Sequence, residues 1–230
     1  MRTIPGKPGR LDKKSKTTQR IYKLINRVPF IPSAGRYKLT ISHARKFIWF
    51  RVPKAGSSTI LTHLRESEVF LDMERAGRIH YPVKLYEDYF KFAFVRNPWS
   101  RLVSCWKNKV VDSNVEFNFD PAELERMQHF EAFVDFAASL DIETCNSHLR
   151  TQTALIDLNN IDYLGRMESF DDDVNHIFRE LGLKEKAVVP RNVSSSSKPY
   201  QDYYSQELAA KVAQIYRKDI RMFGYRFESF

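Results

Sequence analysis

Residues 46–64 read KFIWFRVPKAGSSTILTHL and carry the strongest structural signal in the chain. The near-continuous apolar run 47–52 predicts a strand that is covered on both faces. Small and hydroxyl-bearing residues over 53–59 predict a loop, and the apolar residues that follow predict a helix. The stretch therefore predicts a strand–loop–helix unit.

A second unit of the same kind covers residues 90–110. The run 90–95 predicts a strand, Arg96 and Asn97 a turn, and Pro98 stands where the first turn of a helix tolerates proline. Strands that alternate with helices indicate an α/β fold with a mainly parallel β-sheet flanked by helices. With 230 residues in total, we expect a single P-loop-like domain, or one domain with a tail.

Further elements are predicted downstream of these two units. Residues 121–140 are predicted to form one helix, and 163–167 a short strand. A helix is expected to follow Ser169. A last helix is expected to begin near Ser205 and to end at Gly224.

The positive charge is concentrated at the N-terminus. The chain carries a net charge of +9, and residues 1–38 hold 11 of the 37 Lys and Arg residues but only one of the 28 acidic residues. We therefore divide the chain into a basic arm over 1–38, expected to be flexible, and a domain over 39–230. The arm is either a solubilising tail or a contact for an anionic membrane or polymer. The near-neutral domain does not indicate nucleic-acid binding.

Several classes of protein are excluded by composition. No stretch approaches 18 uncharged apolar residues, so no transmembrane helix is predicted. The first segment lacks the apolar core of a secretory signal. The two cysteines, Cys105 and Cys145, are too few for a disulfide scaffold. These features predict a cytoplasmic, reduced protein.

The loop after the first predicted strand has the composition of a phosphate-binding loop. Its small residues let backbone N–H groups converge on an anion, and the helix that follows adds its dipole. In loops that bind Mg-nucleotides, Lys directly follows the last Gly, whereas here Lys54 precedes Gly56 by two residues. The loop thus indicates phosphate binding without the usual Mg-nucleotide geometry, although small-residue turns also occur here in folds that bind no ligand.

The turn after the second predicted strand offers another anion site. Arg96 lies at the carboxyl end of that strand, where open α/β sheets bind ligands. Ser104 lies eight residues further on, within the following helix. Arginine and serine together form a charge-assisted phosphate site. The alternative is that Arg96 pairs with an acidic neighbour and Ser104 only packs.

The two loops together resemble the cofactor signatures of sulfotransferases that use 3′-phosphoadenosine 5′-phosphosulfate (PAPS). The closer similarity is to the membrane-type carbohydrate sulfotransferases, the chondroitin, dermatan, HNK-1 and uronosyl 2-O group. The resemblance covers about residues 46–227. The stretches that carry it are RVPKAGSST at 51–59, FVRNPWSRLVS at 94–104, HLRTQ at 148–152, YLGRME at 163–168 and YRKDI at 216–220.

The resemblance implies transfer of a sulfuryl group from PAPS to a hydroxyl group of a carbohydrate or glycoconjugate. Arg96 and Ser104 would hold the 3′-phosphate. Ser196 and Lys198 lie where the family closes a further segment over the nucleotide. The residues implied around the 5′-phosphosulfate are Arg51, Lys54, Ala55, Gly56, Ser57, Ser58 and Thr59.

Two side chains are predicted to act in catalysis. Sulfuryl transfer resembles phosphoryl transfer, so positioning and electrostatic stabilisation should dominate. Lys54 is the candidate for stabilising the leaving phosphate oxygen, with simple phosphate binding as its alternative role. The acceptor hydroxyl needs a base, for which we predict His80, because related enzymes keep a catalytic histidine in this loop. His148 and an acidic residue are the rivals.

Two other functions compete with this one: a P-loop kinase acting on a small molecule, and a non-catalytic nucleotide-binding module. No metal is expected, since the histidines and cysteines lack zinc-ligand spacing and the acidic run 171–173 suits a helix N-terminus. Golgi relatives carry an N-terminal membrane anchor. If the chain has been trimmed, it is a luminal catalytic domain instead, and Cys105 with Cys145 becomes a candidate disulfide.

Overall fold

The computed structural model describes residues 32–114, 116–184 and 198–228. At its centre lies a five-stranded mixed β-sheet with the strand order β3-β1-β2-β4-β5. The predicted α/β class is confirmed. The strands are β1 (Tyr37–Ser42), β2 (Phe47–Phe50), β3 (Arg78–Ile79), β4 (Phe90–Val95) and β5 (Tyr163–Arg166).

The sheet is parallel where the two predicted units lie and antiparallel at the other edge. Strands β2, β4 and β5 run parallel to one another. Strand β1 runs antiparallel to both β2 and β3. Because β2 and β4 are parallel neighbours, the loops that begin at Arg51 and Arg96 leave the sheet at the same edge. The pattern of the sequence does not predict β1 or β3, and β3 has only two residues.

Helices flank this sheet, and the described part of the chain contains seven α-helices. The predicted helix over 121–140 is divided in two, because His129 adopts an extended conformation between the two parts. The last helix is divided at Tyr216, which has ψ of 25°. The helices are α1 (Ser57–Glu66), α2 (Pro98–Trp106), α3 (Pro121–Met127), α4 (Phe130–Ser139), α5 (Phe170–Glu180), α6 (Gln206–Ile215) and α7 (Arg217–Phe223).

Strands β2 and β4 form the centre of the hydrophobic core. All four residues of β2 are fully buried. Trp49 stacks on Phe92 of the neighbouring strand, with ring centroids 5.9 Å apart. Covering a strand on both faces requires apolar residues at successive positions, which explains the unbroken run in the sequence. This rigid pair of strands supports the two loops that leave the sheet.

The folded body begins before the boundary predicted between residues 38 and 39. Strand β1 already starts at Tyr37, and the N–H of Ser33 donates to the carbonyl of Tyr81 at 2.8 Å. Both Ser33 and Tyr37 are buried. The predicted boundary therefore cuts through β1. The rest of the predicted arm, residues 1–31, lies outside the described residues, and so does its predicted contact with a membrane or polymer.

Cys105 and Cys145 are both free thiols, so the candidate disulfide is not formed. Burial raises the pKa of Cys105 to about 12.

Candidate functional site

A cavity of about 600 Å³ opens at the edge of the sheet where the loops after β2 and β4 meet. One acidic side chain, that of Glu168, is among the described residues that line it. Its oxygens already accept hydrogen bonds from the N–H of Asn97 and the hydroxyl of Tyr225. The cationic residues that line the cavity are Lys38, Arg51, Lys54, Arg75, Arg96 and Lys109. Because the positive side chains outnumber the negative one, the cavity suits an anionic ligand.

The N-terminus of α1 points its first amide groups toward this cavity. Gly56 is the N-cap, no side chain caps the helix, and the first turn holds no acidic residue. Ser57, Ser58 and Thr59 form this turn and line the cavity. The first amides of a helix have no intrahelical partners, and the helix dipole adds positive potential there. The turn is therefore a ready anion site.

Gly56 is required at this turn for two reasons. Its φ of +74° lies in the left-handed region, and an added Cβ would lie 2.6 Å from a ring carbon of Phe170 and 2.8 Å from the sulfur of Met167. We expect Gly56→Ala to lower the free energy of unfolding by about 1–3 kcal/mol. The measurement is urea unfolding. Gly77→Ala is the matched control, since a Cβ there meets no atom within 4 Å. Equal stability of the two variants would contradict this role.

Lys54 connects the phosphate loop to the end of α2. Its backbone is left-handed, with φ of +67°, and its Nζ donates to Oδ1 of Asn108 at 2.9 Å. Asn108 and Lys109 line the cavity from a π-helical turn, Lys107–Val111, which continues α2. Turns of this kind are frequent at functional sites. Burial lowers the pKa of Lys54 to about 8, and the nearby charge of Arg96 also lowers it.

Arg96 and α2 form a second candidate anion site. The Nε of Arg96 donates to Oγ of Ser100 at 2.9 Å, and its Nη1 donates to the carbonyl of Lys54 at 3.4 Å. Ser100 and Ser104 are four residues apart on one helix, and both line the cavity. Burial lowers the pKa of Arg96 from its usual value, but a guanidinium stays charged at neutral pH. Sequence reasoning missed Ser100, although its i+4 spacing to Arg96 and Ser104 is a usable signal.

Distant segments of the chain hold Arg96 in place. The side chain of Gln152 accepts from the N–H of Arg96 at 2.9 Å and donates to its carbonyl at 2.8 Å. The fully buried carboxylate of Asp219 accepts from the backbone N–H groups of Gln152 and Thr153 at 2.8 and 2.9 Å. The stretches HLRTQ and YRKDI therefore support the second anion site structurally.

His148 lines the cavity and belongs to a hydrogen-bonded group. Its Nδ1 lies 2.9 Å from Oε1 of Glu116, and that same oxygen accepts from Nδ2 of Asn146 at 3.0 Å. Burial lowers the pKa of His148 to about 4, against the opposing charge of Glu116. The pKa of Glu116 is also lowered, through hydrogen bonding by Asn146 and the charges of His148 and Lys109, although burial opposes this. An ionised carboxylate can only accept, so Nδ1 is the donor and Nε2 is the nitrogen that can take a proton.

Some of the predicted site residues line the cavity, and others do not. Ala55 is buried, and its N–H donates to the carbonyl of Val52. His80 and Lys198 are exposed and are not among the described lining residues; Nδ1 of His80 contacts the carbonyl of Ser33 at 2.8 Å. Ser196 lies outside the described residues. The predicted residues that line the cavity together are Arg51, Lys54, Gly56, Ser57, Ser58, Thr59, Arg96 and Ser104.

Comparison with known proteins identifies the family. A family model described as "Sulfotransferase family" matches residues 37–226, which is most of the chain. The chain belongs to the sulfotransferase family. The predicted resemblance is confirmed at this level, and no solved structure matches this sulfotransferase significantly.

The similar curated proteins are distant and longer than this sulfotransferase. It is 25% identical to carbohydrate sulfotransferase 10 of Xenopus laevis over 173 residues, which is 62% of this chain and 49% of that protein. It is 25% identical to carbohydrate sulfotransferase 12 of the same species over 206 residues, 76% of this chain and 49% of that protein. An uncharacterized protein of Archaeoglobus fulgidus is 26% identical over 113 residues, 49% of this chain and 83% of that protein. The chain spans about half the length of the carbohydrate sulfotransferases.

The cytoplasmic prediction is corrected by these relatives. That prediction was made from composition, whereas the matched proteins include vertebrate carbohydrate sulfotransferases 10, 11 and 12, of the membrane-type group that the sequence resembles. Within the described ranges, no helix of this sulfotransferase is both long and apolar enough to cross a bilayer. The described residues also contain no group of three or more His, Cys, Asp or Glu that could hold a metal ion.

Proposed function

We propose that this chain transfers a sulfuryl group from PAPS to a hydroxyl group of a carbohydrate. One observation carries the proposal: two separate anion sites, at the N-terminus of α1 and at Arg96, open into the same cavity. PAPS carries an anionic group at both the 5′ and the 3′ position of its adenosine. Membership of the sulfotransferase family supports the donor, and the names of the curated relatives support a carbohydrate acceptor.

The residues of the cavity fit this donor. The first amides of α1 and Lys54 would hold the 5′-phosphosulfate, and Arg96 with Ser100 and Ser104 would hold the 3′-phosphate. The hydrogen bonds that the Arg96 side chain makes to Ser100 and Lys54 end on neutral oxygens. The nearby charge of Glu168 favours the guanidinium, and the Glu168 oxygens accept from Asn97 and Tyr225. The guanidinium can form charge-assisted hydrogen bonds with a phosphate. When bound, PAPS supplies an activated sulfuryl group on a phosphate oxygen.

We assign the general base to His148 in preference to the predicted His80. His148 lines the cavity beside the proposed donor site, whereas His80 does not. Nε2 of His148 takes the proton of the acceptor hydroxyl while the hydroxyl oxygen bonds to sulfur. Lys54 stabilises the negative charge on the phosphate oxygen whose bond to sulfur breaks. Glu116 holds the His148 ring with Nε2 available.

Calorimetric binding of 3′-phosphoadenosine 5′-phosphate (PAP) tests the proposal, with adenosine 5′-phosphate and ATP–Mg²⁺ as comparators. We expect PAP to bind much more tightly than either. Arg96→Ala should weaken PAP binding by about tenfold to a hundredfold, since charged hydrogen bonds contribute about 1.5–3 kcal/mol. Arg65→Ala is the matched control, because Arg65 is exposed and pairs with Glu74.

The competing functions predict other results. A kinase would prefer ATP–Mg²⁺ and would be indifferent to the 3′-phosphate, and either result would overturn the proposal. The position of Lys54 before Gly56 speaks against that outcome. A non-catalytic module would bind PAP but would transfer no sulfuryl group to any hydroxyl.

A further inference from the structure

Arg101 is a buried charge that neither the proposed donor site nor the proposed base uses. It lies on α2 between Ser100 and Ser104, and only 2% of its surface is exposed. Burying a guanidinium is costly unless hydrogen bonds replace its water, whereas an apolar side chain would fill the same place without that cost. A charge at this position therefore calls for a role beyond packing.

The guanidinium of Arg101 hydrogen-bonds to the main chain at three points. Its Nε donates to the carbonyl of Pro53 at 3.1 Å. Its Nη1 donates to the carbonyl of Arg150 at 2.9 Å, and its Nη2 to the carbonyl of Ser147 at 3.1 Å. Because the donors of a guanidinium form a rigid planar fork, they fix these three carbonyls relative to one another.

The three carbonyls belong to the two loops that carry the proposed reacting side chains. One belongs to the residue directly before Lys54, in the phosphate loop over 53–59. The other two belong to residues 145–151, which we call the His148 loop, and one of them directly precedes His148. Arg101 therefore connects the main chain beside the proposed cation to the main chain beside the proposed base.

Each loop also has attachments of its own. In the phosphate loop, the N–H of Ala55 and the hydroxyl of Ser57 both donate to the carbonyl of Val52, just after β2. In the His148 loop, the carbonyl of Leu149 accepts from the hydroxyl of Tyr216 at 2.9 Å. These bonds hold each loop to the body of the domain, but they do not join one loop to the other.

We infer that Arg101 is a positioning residue, which fixes the His148 loop against the phosphate loop so that His148 and Lys54 can act from opposite sides of the sulfur. This inference rests on the proposed function. In an in-line displacement the attacking and leaving oxygens flank the transferred group, so the base and the cation must keep a fixed separation. A misplacement of about 1 Å costs on the order of 10²-fold in rate.

Substitution of Arg101 is expected to lower kcat much more than PAP affinity. In Arg101→Met, kcat per PAP-binding site should fall by about 10²-fold. Arg101→Lys keeps the charge but loses the planar fork, so its loss should be smaller. PAP should still bind, because the phosphate loop keeps its bonds to Val52. Transfer from labelled PAPS to unsulfated chondroitin measures kcat, and calorimetry counts the sites and measures PAP affinity.

The pKa of His148 provides a second readout, which needs no acceptor. Burial lowers this pKa to about 4; Glu116 opposes this, and the charges of Lys109, Lys38 and Arg101 add to it. In Arg101→Met the loop loosens and one positive charge is lost, so the pKa of His148 should rise towards its ordinary value of about 6.5. Imidazole resonances in a pH titration of the free chain, followed by NMR, measure this rise.

Two controls match the two things that Arg101→Met removes. Trp99→Phe also removes a buried donor from α2, but the Nε1 of Trp99 donates to the carbonyl of Ala209 in α6 rather than to either loop. Lys46→Met removes one positive charge, from an exposed side chain that pairs with Asp88. Both controls should keep the wild-type kcat and the wild-type pKa of His148, whatever their free energies of unfolding in urea.

The outcomes separate this inference from the proposed function. If the wild-type chain does not bind PAP, the proposed function fails. If PAP binds and Arg101→Met keeps the wild-type kcat and the wild-type pKa of His148, only the role of Arg101 fails. Equal losses of kcat and PAP affinity would also overturn it, since Arg101 would then support the donor site alone. If Arg101→Met does not fold, Arg101→Lys carries the comparison, because it keeps the buried charge.

Discussion

His148→Ala is expected to lower kcat for sulfuryl transfer by about 10²–10⁴-fold, the usual contribution of a positioned general base. Affinity for PAP should not change, because the two proposed phosphate sites do not include this side chain. The measurement is steady-state transfer to a carbohydrate acceptor, with calorimetric PAP binding alongside. His129→Gln is the control, since His129 is an exposed residue at the start of α4.

A parallel His80→Gln variant decides between the two histidines. Loss of turnover in this variant, with normal turnover in His148→Ala, would return the base assignment to His80. The pH profile provides a second readout. Because burial lowers the pKa of His148 to about 4, the base stays unprotonated at neutral pH. The acid limb of kcat/KM should therefore lie below the ordinary histidine pKa of about 6.5.

Lys54→Met is expected to lower kcat by about 10²–10³-fold, the range observed when one group that stabilises developing negative charge is removed. The KM for PAPS should change less, since the amides of α1 remain. Steady-state kinetics with varied PAPS measures both constants, and Lys46→Met is the matched control. A higher KM with unchanged kcat would instead assign Lys54 to ground-state phosphate binding.

The alkaline side of the pH profile tests the same lysine. Burial lowers the pKa of Lys54 to about 8, so the free chain loses this positive charge as the pH rises through that value. The kcat/KM for PAPS should fall over this range. Lys54→Arg keeps its charge at higher pH, so its profile should lack this limb even if its rate is lower. An alkaline limb that persists in Lys54→Arg would assign it to another group.

The parts of the fold that depend on local sequence were predicted well. The apolar run in β4 marks that strand because both of its faces are covered, and Pro98 with the capping side chain of Asn97 marks the start of α2. Gly224, with φ of +68°, ends the last helix. Helix interruptions at His129 and Tyr216 were missed, because packing rather than periodicity divides those helices.

In the candidate site, too, local sequence predicts some residues and misses others. The phosphate loop and Arg96 each lie within one strand–loop–helix unit, so neighbouring residues alone indicate an anion site. No local pattern indicates the proposed base, because Glu116 and His148 are 32 residues apart and meet only in the folded chain. The choice of His80 followed its place in the sequence, and the fold turns that residue toward the carbonyl of Ser33.

The sequence by itself therefore determined the α/β class, the two turns that we propose bind phosphate, and the family to which the chain belongs. These features depend on contacts between residues that are close in the chain. Only the tertiary structure decided which histidine lines the cavity and that Lys38 and Arg75 line it too. Strand order and the packing of distant loops control these positions, because they bring together residues whose separation along the chain leaves no local pattern.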